Sequence, residues 1–105
     1  MADGFALTEA TYYILLSLAT PRHGYGIMQE TERMSQGRVK LAAGTLYGAI
    51  NGLLDKGWIR SVPGADDSRR KEYALTDKGR EALTWELDRL KELVENGESV
   101  LGGEA

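Results

Sequence analysis

One stretch constrains this chain more than any other: Ala42-Ala43-Gly44-Thr45-Leu46-Tyr47-Gly48-Ala49-Ile50-Asn51-Gly52-Leu53-Leu54. At about 3.6 residues per turn, Leu46, Ala49, Ile50, Leu53 and Leu54 gather on one side of a helix, and Gly44, Gly48, Asn51 and Asp55 gather on the other. One face is core and the other is nearly bare. Gly48 and Gly52 are unusual in a helix interior, where each costs roughly 1 kcal/mol relative to Ala. A helix without bulk on its outer face lets another surface approach its backbone closely, and a nucleic-acid groove is such a surface. A poorly optimised solvent-facing helix would carry the same pattern, so both readings stand on this stretch alone.

Upstream, Thr8 is an N-cap with Glu9 in the first turn, and a helix is expected to run to about Thr20, where Pro21 stops it. Ala10, Ile14 and Leu18 form one apolar stripe on it, with Tyr12, Leu16 and Ala19 opposite. A helix apolar all round is buried all round, which in a small domain points to a partner chain over the second face. Arg22-His23-Gly24-Tyr25-Gly26 reads as a turn into a second helix, Tyr25 to about Met34, with His23 as a turn or capping residue. Arg38-Val39-Lys40-Leu41 is a short extended link into the bare-faced helix. Three helices joined by short turns, the third with a spare outer face, outline a helix-turn-helix.

Lys56-Gly57 is a helix C-terminal signal. Trp58–Pro63 and Lys71–Leu75 read as two strands of a hairpin around the polar loop Gly64–Ser68, the far arm preceded by Arg69 and Arg70. Three consecutive cations beside a hairpin tip suit phosphate contact, although Asp66 and Asp67 could neutralise them. Thr76 caps a last helix that runs to about Asn96-Gly97, with Asp77 at its positive end. Leu83, Leu87, Leu90 and Val94 form its apolar stripe, which a second copy of the chain is the simplest means of covering. Trp85 falls on the opposite side among Glu81, Asp88 and Glu92. It is either a lone exposed aromatic or a contact to a partner chain or small molecule.

With 105 residues there is room for one domain and a long terminal helix, not for two cores. The longest apolar run, Tyr12–Leu16, is far too short to span a bilayer and lacks a signal-peptide pattern, so a cytoplasmic, membrane-free protein is expected. There is no cysteine and one histidine, which removes thiolate sites and paired-histidine metal sites, and no cofactor is expected. The carboxylates have no base or nucleophile set beside them, so nothing resembles an active site. The net charge of −3 hides an asymmetry: residues 21–71 hold nine basic side chains against five acidic, and residues 81–105 hold two against seven. A basic segment can meet a phosphate backbone while an acidic tail faces away.

Together, His23-Gly24-Tyr25, Gly44-Thr45-Leu46-Tyr47 with Ala49-Ile50 and Leu53, Gly57-Trp58-Ile59, Arg69-Arg70-Lys71-Glu72-Tyr73 and Leu75-Thr76-Asp77-Lys78-Gly79 closely resemble the PadR family of bacterial transcriptional regulators. The resemblance spans roughly residues 7–95. It implies a mainly α fold with a small β-hairpin: a winged helix-turn-helix over residues 1–75, then a dimerisation helix and short tail over residues 76–105. It also implies a homodimeric repressor of operator DNA. The expected DNA contacts are Tyr25, Lys40, Gly44, Thr45, Tyr47 and Asn51, with Arg69, Arg70 and Lys71 on the wing. Tyr12, Leu16, Leu83, Leu87, Leu90 and Val94 are the expected dimer contacts. Some compact members bind small aromatic compounds at the dimer interface, which would make Trp85 a ligand contact. The chain departs from the family's frequent pattern at Ala42 and Ala43, where a serine cap and a proline are common, at Gly48, another frequent proline, and at Glu72, where a tyrosine is common. A winged-helix module that binds protein and not DNA is the competing expectation, kept open by the acidic net charge.

Overall fold

The first helix, α1 (Glu9–Ser17), starts where the Thr8 side chain accepts a hydrogen bond from the Thr11 amide at 3.1 Å. The structure is a computed structural model that describes residues 6–63 and 71–102. After α1 come β1 (Arg22–His23), α2 (Gly24–Met34), α3 (Ala43–Lys56), β2 (Ile59–Val62), β3 (Glu72–Leu75) and α4 (Asp77–Gly97), then a π-helical turn over Glu98–Gly102. Helix α1 ends a turn before the expected Thr20. The Leu18 carbonyl accepts the Leu75 amide of β3 at 3.0 Å, so the backbone leaves the helical path to serve the sheet.

Arg22 and His23 form a strand, not the expected turn. The hairpin of β2 and β3 is thereby a three-stranded antiparallel sheet in the order β1-β3-β2, with Arg22 opposite Tyr73 and Ile59 opposite Leu75. The strand is held from below, because Arg22 Nε donates to the Ser17 carbonyl at 2.8 Å. His23 also caps α2, its Nδ1 accepting from the Gly26 amide.

Every helix contributes to one core: Ile14, Leu15 and Leu18 from α1, Ile27 from α2, Leu46, Ile50 and Leu53 from α3, and Leu83 from α4. Ile59 and Tyr73 close it from the sheet. Tyr12 and Leu16 pack against this core of their own chain and are half-buried, so the second face of α1 is already partly covered without a partner.

Two joints orient the elements around α3. At its C-terminus Gly57 adopts φ 76°, and the Gly57 and Trp58 amides donate back to the Leu54 and Leu53 carbonyls at 3.0 and 3.1 Å. These two bonds satisfy carbonyls that the helix end would otherwise leave open, and the left-handed residue suits glycine. At the start of α4, Thr76 Oγ1 accepts the Gly79 amide at 3.0 Å and its hydroxyl donates to the Gly57 carbonyl at 2.7 Å, while the Thr76 amide donates to the Trp58 carbonyl at 3.0 Å. A Cβ on Gly79 would lie 2.0 Å from that Trp58 carbonyl oxygen. Only a residue without a side chain lets α4 begin this close to the end of α3.

Candidate nucleic-acid interface

Helix α3 buries Leu46, Ile50 and Leu53 and turns Gly44, Gly48, Asn51, Gly52 and Asp55 outward. A Cβ built on Gly44, Gly48 or Gly52 would meet nothing within 4 Å. Nothing among the described residues therefore requires glycine at these three positions. The bare side expected from the sequence is real and wider than the pattern suggested, since Gly52 joins it.

The polar side chains around this face come from α3 itself and from the start of α2. Thr45 and Asn51 are exposed on α3, and Tyr47 is 45% exposed at its edge. Tyr47 is held in place: its hydroxyl occupies the space where a Cβ on Gly24 would stand, 2.1 Å away. It also lies near Tyr73, whose phenol is pushed above its ordinary value first by burial and then by Tyr47. Tyr25, in the first turn of α2, is 61% exposed. Ala42 gives α3 no side-chain cap, as its departure from the serine pattern implied. The first-turn amides of α3 are then left to solvent or to an anion.

The basic balance of the middle segment is partly spent inside the chain. Arg33 pairs with Glu30, and Arg38 reaches across to Glu9 on α1. Lys56 Nζ lies 5.3 Å from the centre of the Trp58 ring. Lys40, Arg60 and Lys71 are exposed and have no ion pair among the described residues. Arg69 and Arg70 lie outside the described residues. Arg60, on the exposed side of β2, is one of the nine basic side chains of the middle segment and was not among the expected DNA contacts. Its alternation with buried Ile59 was the available signal.

The expected dimer contacts divide in two. Leu83 is 8% exposed and belongs to the core of its own chain, so it offers little to a partner. Leu87 and Val94 are exposed and Leu90 is half-buried; Leu93, Val100 and Leu101 extend the apolar surface beyond them. From residue 91 to residue 102 every position is exposed, and α4 projects out of the domain, giving extents of 58 × 31 × 21 Å. Trp85 is 50% exposed on the other side of α4, away from this stripe. No group of metal-binding side chains occurs among the described residues, and no helix among them is long and apolar enough to cross a membrane.

Helices α2 and α3 joined by a turn, followed by a small antiparallel sheet, make a winged helix-turn-helix. The Transcriptional regulator PadR-like family matches residues 13–85, and the chain belongs to that family of transcriptional regulators, which are DNA-binding proteins and not enzymes. Solved structures agree on the fold. A PadR family transcription regulator from Clostridium difficile superposes with a TM-score of 0.72 at 22% identity, covering 91% of this chain and 100% of that one. A transcriptional regulator from Clostridium thermocellum gives 0.71 at 22%, covering 89% and 88%. RosR from H. salinarum gives 0.66 at 26%, covering 94% and 100%. No curated protein sequence matches the chain.

Proposed function

We propose that the chain is a homodimeric, sequence-specific repressor that lays the N-terminal half of α3 in the major groove. The observation that carries this reading is the outward face of α3, where three glycines leave the backbone open and Thr45, Tyr47 and Asn51 supply the polar groups around it. Asn51 is exposed and carries the side-chain amide that can pair with an adenine edge, and Tyr25, Lys40 and Lys71 are exposed for phosphate contact. Arg69 and Arg70, next to Lys71 in the sequence, would add positive charge for the same contact. Leu87, Leu90 and Val94, with Tyr12 and Leu16 beside them, form the dimer seam, placing two recognition helices on half-sites about one helical turn apart. Trp85, half-exposed but opposite that seam, would receive an aromatic effector on the outer side of α4 and not between protomers.

The test is binding to DNA from the protein's own upstream region and to random DNA of equal length, at two salt concentrations, with mass read by light scattering. A dimer preferring its own upstream DNA by about a thousandfold or more supports the reading. Weak, equal binding to both that vanishes with salt would bring forward a protein-binding role for the winged helix.

A further inference from the structure

Helix α4 is a rod whose direction is set by its attachments to the domain. Its first is at the N-terminus, where Thr76 and Gly79 lock onto Gly57 and Trp58. Its last buried residue is charged: Glu86 is 5% exposed, and beyond it α4 has only half-buried or exposed positions. Arg89 Nε donates to Glu86 Oε1 at 2.9 Å, Arg89 Nη2 to Oε2 at 2.7 Å, and the Leu7 amide to Oε2 at 3.4 Å. Glu86 and Arg89 stand one turn apart on the same helix, so their pair orients the carboxylate, and it is the Leu7 amide that ties α4 to the segment that leads into α1. Tyr12 of α1 is close to the same carboxylate, its phenol pushed up by burial first, then by the charge of Glu86 and by Tyr13.

We propose that Glu86, held by Arg89 and the Leu7 amide, is the positioning residue that sets the angle at which α4 leaves the DNA-binding domain and so the separation of the two recognition helices. This rests on the dimeric DNA-binding reading above. Leu83 packs in the core between Gly79 and Glu86, and Glu86 is the outermost buried position of α4, the one with the longest lever on its direction. Gly79 and Glu86 are about 10 Å apart along the axis at about 1.5 Å per residue, and Gly97 is about 27 Å from Gly79. A swing of about 7° about Gly79 would move the end of α4 by about 3 Å, close to the roughly 3.4 Å rise of one base pair. Small freedom at residue 86 is therefore enough to blur half-site spacing. Glu86 is buried and Arg89 is half-buried, and such a pair is weak evidence for stability and better suited to specifying one geometry among several. An apolar residue here would pack against α1 at a range of angles, whereas a carboxylate held in one rotamer by Arg89 of its own helix meets the Leu7 donor at one.

The test compares the full-length protein with the double variant Glu86→Leu/Arg89→Leu, which removes both charges and leaves neither buried alone. Affinity is measured on operators whose half-sites are moved apart or together by one base pair. A spin label on Gln29→Cys, in a chain that has no other cysteine, reports the distance between protomers. The expected result is an unchanged melting temperature and dimer mass, a spacing selectivity reduced roughly two- to thirtyfold, and a broadened label distance. Unchanged selectivity and an unchanged distance distribution would overturn the proposal. If the double variant fails to fold, Glu86→Gln decides: its amide keeps the shape but loses the bidentate hold of Arg89, so the acceptor facing the Leu7 amide is no longer fixed in one rotamer, and unchanged selectivity and label distance in this variant would likewise overturn the proposal. A wild-type protein that is monomeric or indifferent to spacing sinks the dimeric reading itself, an outcome visible before any variant is made.

Discussion

Replacing Gly48 and Gly52 together by alanine separates a face built for close approach from a face that is merely bare. In the free protein neither new methyl meets an atom within 4 Å, so no repulsion offsets the gain in helix propensity. Each substitution is worth about 0.8–1 kcal/mol in a helix interior, so the pair stabilises by about 2 kcal/mol. For a domain of this size that raises the melting temperature by about 8–15 °C. On DNA the expectation has the opposite sign. If the α3 backbone sits against base edges or sugar, each methyl must displace something, at the roughly 1–3 kcal/mol typical of overpacking, or about 5- to 150-fold in affinity. Thermal unfolding and a binding titration on the same preparations read both effects. A protein that is more stable and binds its operator as before would refute the close-approach reading. A protein that is less stable would mean the outer face of α3 is covered by something within the chain or its dimer.

Gly79→Ala reverses the first effect: its Cβ would lie 2.0 Å from the Trp58 carbonyl oxygen, a backbone atom that cannot step aside. A loss of about 3 kcal/mol in denaturant unfolding is expected, and a loss below about 0.5 kcal/mol would show that the joint is loose. Hydrogen bonds from Arg89 hold the Glu86 carboxyl below its ordinary value of 4.5, against the opposing push of its burial, with the Leu7 amide helping to lower it. The native value being depressed, this contribution is full above the unfolded value and is lost as pH falls through the native one. Stability should fall more steeply with acid below about pH 4.5 in the wild type than in Glu86→Gln; parallel curves would show that the carboxylate is not clamped. For Arg69→Ala/Arg70→Ala, binding should weaken on all DNA sequences and the slope of log affinity against log salt should shrink by about two. A slope that does not move would take the wing off the phosphates.

Local signals were legible in the sequence, and signals that depend on distant partners were not. Thr8 and Thr76 announce their helices because the capping bond closes within three residues, and Lys56-Gly57 announces an end for the same reason. Strand β1 is two residues long, too short to show alternation, and exists only because Tyr73 and Glu72 pair with it from the other end of the domain. The early end of α1 has the same distant cause, the Leu75 amide taking the Leu18 carbonyl. Glu86 could have been noticed, as the one acid falling between Leu83, Leu87 and Leu90 on a face otherwise apolar. Glycines mark where composition alone stops being informative. Gly79 and Gly48 look alike as letters, each standing in a helix that alanine would favour. At Gly79 the obstacle to a side chain is the Trp58 carbonyl, inside the protein; at Gly48 there is no obstacle inside the described protein at all. If a methyl at 48 is harmful, the atom it strikes belongs to another molecule. That makes the empty positions of α3, more than its filled ones, the place where this fold can be asked whether it binds DNA.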